Sequence, residues 1–212
     1  IDVWRQNPTR DVVSPYYGFE DVKLVLGHSD KCFGHYMRWL QGQHDDPSSL
    51  GGLENSLPAA EFNAPQVWRT NMPEELYPNR FVERMTIKYL EAHAKNRGDD
   101  PFFIQCSFPD PHHAFTPPGR YWNLYDPAQI TLPNSFHRGE NPVPPHLSRL
   151  YEERDRGEAN RNGQRGFAVT EREAREAIAL TYGMITMIDD AIGRIRDRLE
   201  TLGLADNTVI VF

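Results

Sequence analysis

Two long stretches of the chain repeat apolar residues at three- and four-residue steps, and three short stretches are almost continuously apolar. The spacing predicts a helix from about Asn79 to Asn96, with Phe81, Val82, Met85, Tyr89 and Leu90 on one face. Gly98-Asp99-Asp100-Pro101 breaks it. A longer helix opens at Thr170-Glu171-Arg172-Glu173, whose first and last members have the form of a capping box. Its apolar positions begin at Ala174, Ala177, Ile178 and Thr181 and continue through Met184, Ile185, Ile188, Ala191, Ile192, Ile195 and Leu199. Gly203 stands just beyond its C-cap. The short runs read as strands: Val22–Leu26, Phe102–Phe108 with the pattern of a strand buried on both faces, and the β-branched Thr208–Phe212 after the Asp206-Asn207 turn pair. A strand, a long connection ending in a helix and another strand make a βαβ-type crossover. The expectation is therefore an α/β fold, a mostly parallel central sheet flanked by helices.

The ends and the connections refine this picture. Residue 1 is Ile and the last strand-like run stops on Phe212, so the expectation is an internal piece of a longer protein, its sheet incomplete at both ends. Residues 45–80 are rich in Pro, Gly, Ser and Asn and read as an irregular surface excursion. Prolines from Pro109 to Pro145 fix φ and remove donors, predicting ordered loop over a surface. Residues 150–168, dense in Arg, Glu, Asn and Gly over their first part, read as a solvated insertion, either inert or a flap facing substrate.

Composition narrows the function classes. With 23 Lys+Arg against 30 Asp+Glu the net charge is −7, and no basic stripe is present to hold nucleic acid by its phosphates. No apolar run approaches the roughly 20 residues of a membrane-spanning helix. Cys32 and Cys106 are too few for a disulfide scaffold or a cysteine-only zinc site. A P-loop, a Gly-x-Gly-x-x-Gly turn, His-Glu-x-x-His and Gly-x-Ser-x-Gly are all absent, which argues against the nucleotide-binding, zincin and α/β-hydrolase readings. An enzyme or a binding domain of some other kind remains.

In open α/β sheets ligands bind beyond the carboxyl ends of the strands. After the Phe102–Phe108 run comes Pro109-Asp110-Pro111-His112-His113-Ala114-Phe115, two adjacent imidazoles between prolines. An imidazole there can exchange a proton with an anionic substrate near neutral pH, or it can be a loop residue bonded to a carbonyl. Gly27-His28-Ser29-Asp30, followed by His35, offers imidazoles and a carboxylate for a metal, with a structural role as the leading alternative. Asp189-Asp190 reads as a solvated helix face, and Cys106 as a small core residue.

These residues resemble the type I sulfatases of the alkaline phosphatase superfamily. The likeness is carried by Pro101 through Phe115, where the family usually has Pro at the position of Ala114. It continues in Pro117-Pro118-Gly119-Arg120-Tyr121-Trp122 and Leu124-Tyr125-Asp126-Pro127, and in Tyr182–Leu204 with Asn207–Phe212. Tyr16–Leu40 is similar in a less specific way. The resemblance implies that residues 1–212 are an internal portion of one sulfatase catalytic domain of alkaline phosphatase-like fold. It implies a sulfuric ester hydrolase in which a cysteine oxidised to formylglycine attacks sulfur and calcium polarises the sulfate.

The departures matter as much. Neither Cys32 nor Cys106 lies in the Cys/Ser-x-Pro-x-Arg nucleophile motif, and the metal-site motifs of the family have no counterpart in the chain. Both the formylglycine and the calcium ligands are thus expected outside it, and the piece alone is expected to be inactive. By the resemblance His112 is the catalytic histidine that contacts sulfate and assists proton transfer, and His113 is a substrate contact. The implied partner is a small-molecule or carbohydrate sulfate ester. A phosphonate monoester or phosphodiester hydrolase of the same superfamily, and a non-catalytic binding module on the same scaffold, are the alternatives. Localisation stays open, with a periplasmic or secreted place preferred to a cytoplasmic one, and so does oligomeric state.

Overall fold

The computed structural model describes residues 2–7, 10–96, 100–137, 142–163 and 166–212. A short helix α1 (Asp2–Gln6) precedes a hairpin of β1 (Val25–His28) and β2 (Lys31–Gly34). The register pairs His28 with Lys31, so the loop is the two residues Ser29-Asp30, and Ser29 takes a left-handed φ of 55°. Helix α2 (His35–Gln41) leaves the hairpin directly, with Tyr36 and Leu40 buried. Helices α3 (Pro78–Asn96), α4 (Pro145–Asp155) and α5 (Glu171–Thr201) follow, separated by irregular segments with short 3-10 turns.

Helices α3 and α5 start and stop where the sequence places them. Pro78 occupies the first turn of α3, where its missing N–H costs nothing, and the chain ends the helix at Asn96. Of the breaker, Gly98 and Asp99 lie outside the described residues. At α5 the Thr170 hydroxyl accepts from the Glu173 N–H, and the Glu173 carboxylate accepts from the Thr170 N–H at 2.7 Å. Gly203 takes φ 70° beyond the C-cap. The buried face of α5 keeps Met184, Ala191 and Leu199 of the predicted stripe and elsewhere falls about one position from it. Glu173, Glu176, Leu180, Met184, Met187 and Ala191 are buried, whereas Ile185 is 46% exposed. Glu176 is tolerated there because its carboxylate accepts the Asn63 and Ala64 N–H groups at 2.6 and 2.7 Å and pairs with Arg172.

The core gathers Cys32, Tyr36, Leu40, Leu50, Met72, Tyr77, Phe81, Tyr121 and Met187. Leu50 and Met72, with the buried Ala64 and Thr70, belong to the segment expected as a surface excursion. That segment is irregular but packed. Charge joins α3 to α5: Glu83, 2% exposed, is held by Nε and Nη2 of Arg194 at 2.7 and 2.8 Å and by Arg80.

The described residues depart from the expected pattern at three points. Among the described residues the sheet is only the two-stranded antiparallel hairpin. Among the described residues Phe102–Phe108 and Thr208–Phe212 form no ladder, since no strand lies beside either run to exchange N–H and C=O bonds, and several of their side chains are exposed. Phe103 is 77% exposed, Val209 89% and Phe212 91%. Cys106, expected in the core, is exposed for the same reason. Third, residues 150–155 are helical. Pro145 starts α4, and the Arg149–Glu153 and Glu152–Arg156 pairs at i,i+4 support it. Further on, the Arg161 guanidinium pairs with Glu173 and its carbonyl accepts the Gln66 N–H at 3.0 Å, so this part is tied down rather than free; residues 164 and 165 lie outside the described set.

Candidate active site

The histidine loop is fastened from four sides. Asp110 is buried, and Asn79 Nδ2 in the first turn of α3 donates to its Oδ2 at 2.9 Å. The Tyr77 and Thr116 hydroxyls share a buried hydrogen bond of 3.1 Å. The Phe115 N–H donates to the Gln66 carbonyl at 2.9 Å, and the Ser29 hydroxyl donates to the Ala114 carbonyl at 2.5 Å. These fastenings bracket residues 111–113 and leave both imidazoles at the surface.

His112 Nδ1 lies 2.5 Å from the His113 carbonyl oxygen. A carbonyl only accepts, so the proton of the neutral ring sits on Nδ1 and the lone pair on Nε2. Nε2 is then the reactive nitrogen, a base when neutral and a donor when protonated. His113 lies beside His112 with ring centroids 4.1 Å apart and planes 34° apart. Partial burial, then the nearby His112 charge, holds the His113 imidazole below its ordinary pKa. His112 faces a groove of about 640 Å³ lined also by Tyr16, Phe19, Tyr89, Phe103 and His28.

The second cluster separates into different tasks. Asp30 is buried under the hairpin loop and accepts the Gly52 N–H and Trp68 Nε1–H, each at 3.0 Å. His35 Nδ1 accepts the Leu24 N–H at 2.8 Å, and its Nε2 meets Asp11 at 2.8 Å. His28 instead stacks on His112. Among the described residues no three His, Cys, Asp or Glu side chains converge to hold a metal.

On α5, Asp189 is solvated as expected, but Asp190 is half-buried and accepts from Arg120 and the Tyr121 hydroxyl, each at 2.6 Å. Sequence reasoning missed Asn79, Ser29 and the contact of His28 with His112. Asn79 and Asp110 are 31 positions apart, and Ser29 and Ala114 are 85 apart. No local pattern joins them.

A family model described as Sulfatase matches residues 33–212. Over 164 residues the chain is 30% identical to the multifunctional alkaline phosphatase superfamily protein PehA of Trinickia caryophylli, covering 74% of this chain and 30% of that one. It is 28% identical over 139 residues to an arylsulfatase of Clostridium perfringens, covering 66% and 26%. It is 26% identical over 157 residues to an ulvan-active sulfatase of Formosa agariphila, covering 72% and 24%. The matches thus take in between 24% and 30% of the length of these relatives. Helices α2, α3 and α5 and the fastened histidine loop all lie within the matched span, and the chain belongs to the sulfatase family of the alkaline phosphatase superfamily.

Proposed function

We propose that the whole protein hydrolyses sulfate esters and that this chain contributes its histidine loop. The observation that carries the reading is the His112 ring itself, with Nδ1 committed to a carbonyl and the residue lining a groove. A protonated Nε2 donates to a sulfate oxygen or to the oxygen of the departing alcohol, and the neutral form takes a proton back. His113, adjacent and held toward its neutral form, supplies a second hydrogen-bonding group for the anion. The formylglycine nucleophile and the calcium belong, on this reading, to segments outside the described residues, and the chain's own part is proton transfer and orientation. Phe102–Phe108 and Thr208–Phe212, extended and apolar but without ladder partners, fit strands of a mostly parallel sheet completed by those segments. The substrate is a small-molecule or carbohydrate sulfate ester. A periplasmic or secreted place suits such substrates.

A second reading is favoured by the similarity to a protein named multifunctional. A phosphonate monoester or a phosphodiester offers the same tetrahedral anion to His112 Nε2. Hydrolysis of aryl sulfate, aryl phosphonate and bis-aryl phosphate by the full-length protein separates the two. Sulfate turnover dominant over both phosphorus esters supports the first reading, and the reverse order overturns it. No turnover of any of the three leaves the scaffold as a binding module.

A further inference from the structure

His28 and His112 are 84 positions apart in the sequence, yet their rings lie face to face, with centroids 3.7 Å apart and planes 9° apart. His28 is the last residue of β1, and its neighbour Ser29 donates its hydroxyl to the Ala114 carbonyl, two residues beyond His112. The hairpin turn therefore touches the histidine loop twice, once by a ring and once by a hydrogen bond. Asp30, through Gly52 and Trp68, ties the same turn to the packed segment below it. The turn has little freedom to move. At Gly27, with φ 111°, a Cβ would stand 2.4 Å from the Lys31 carbonyl oxygen.

From this geometry we infer that His28 is a positioning residue for His112: its ring is the flat support that sets the plane of the His112 imidazole and so the direction of Nε2. The inference rests on the proposed role of His112. Rotation about the His112 Cβ–Cγ bond would break the Nδ1 contact to the His113 carbonyl and swing Nε2 away from the groove, and a stacked ring opposes that rotation. Partial burial, followed by the charges of His112 and His113, depresses the His28 pKa, which keeps the supporting ring neutral beside a ring that must carry a proton. His28 precedes residue 33, where the match to the family model begins. Misplacing a reacting group by about 1 Å costs up to about 100-fold in rate, so a ring that only tilts is expected to cost about 10-fold.

The test compares His28→Ala and His28→Phe in the full-length protein with two readouts. In hydrolysis of an aryl sulfate, His28→Ala lowers kcat about 10-fold with KM unchanged, and His28→Phe, which keeps a flat ring and cannot titrate, regains most of the loss. In imidazole NMR, His112 shows the Nδ1-protonated tautomer with ring-current-shifted carbon-bound protons. His28→Ala moves those protons downfield and mixes the tautomers, while His28→Phe does neither. Unchanged His112 resonances in His28→Ala overturn the inference whatever the kinetics show, and so does an unchanged kcat with shifted resonances. A protein that turns over no ester but shows the expected resonance changes keeps the stack and refutes the role given to His112, so the two failures are told apart.

Discussion

Asn79 Nδ2 donates to Asp110 Oδ2 at 2.9 Å with both residues buried, which locks the start of α3 to the loop that carries His112. The second oxygen of Asp110 has no hydrogen-bond partner among the described residues. Loss of water raises the Asp110 pKa to about 7 against the opposing bond from Asn79. An unfolded Asp titrates at about 3.9. The folded state therefore binds more protons than the unfolded state between those two values. The contribution of Asp110 to stability is complete below about pH 4 and is lost as pH rises to about 7. Asp110→Asn keeps the size and can still pair with Asn79, but it does not titrate. Urea unfolding across this range is expected to show the wild type losing stability relative to the variant as pH rises. Parallel curves would place Asp110 in contact with water.

Glu83 is predicted to depend on Arg194. The carboxylate is 3% exposed and receives two short hydrogen bonds from that one guanidinium. Arg194→Leu preserves apolar packing along α5 but leaves Glu83 with Arg80 alone. Because Arg194 is itself 37% exposed, the loss falls below the full range for a broken buried pair, at about 2 kcal/mol. The double variant Glu83→Leu, Arg194→Leu should recover part of it, since two apolar side chains leave no buried charge behind. Chemical denaturation of the three variants checks this, and equal stability of single and double variants would contradict it.

Helices α3 and α5 were legible because their information is local. A capping box, a glycine after the C-cap and apolar residues at three- and four-residue steps act within about four residues of the groups that they serve. His112 and His113 were legible from the strand-like run and the prolines around them. The sheet was not: Phe102–Phe108 has the composition of a buried strand, but a strand exists only with neighbours to bond, and none lies beside it among the described residues. The supports of the site were hidden for a related reason. Asn79, Ser29 and His28 act across 31 to 85 positions, at a helix start and a hairpin end whose patterns carry no sign of what they will face.

Two glycines of α5 should respond in opposite ways to the same substitution. A Cβ on Gly183 would meet the Tyr121 carbonyl oxygen at 2.4 Å, and that atom belongs to the backbone of the segment lying on the helix. A Cβ on Gly193 has no atom within 4 Å. Gly193→Ala gains helix propensity and is expected to stabilise by up to about 1 kcal/mol. Gly183→Ala gains the same propensity but must push the loop away, a cost of about 1–3 kcal/mol, so the net effect is destabilising. Thermal unfolding of both variants decides the matter, and a stabilised Gly183→Ala would mean that the 117–122 segment yields easily.

His112 and His113 are expected to separate in kinetics because they use different parts of themselves. The acceptor that orients His112 is the main-chain carbonyl of His113, which His113→Ala retains. That variant removes only the neighbouring imidazole, to which the proposed function gives a hydrogen bond to the anion. In the full-length protein His113→Ala should therefore raise KM while kcat changes by less than about 10-fold. His112→Ala removes the group to which the proposed function gives the proton transfer, and kcat should then fall by about 100-fold or more with a small change in KM. Folding is not at stake in either case, since both side chains are exposed and the fastenings at Asp110, Ala114 and Phe115 involve neither ring. Steady-state rates on one aryl sulfate for the two variants are sufficient. If His113→Ala suffers the larger loss in kcat, the two roles are exchanged and the proton passes through His113 instead.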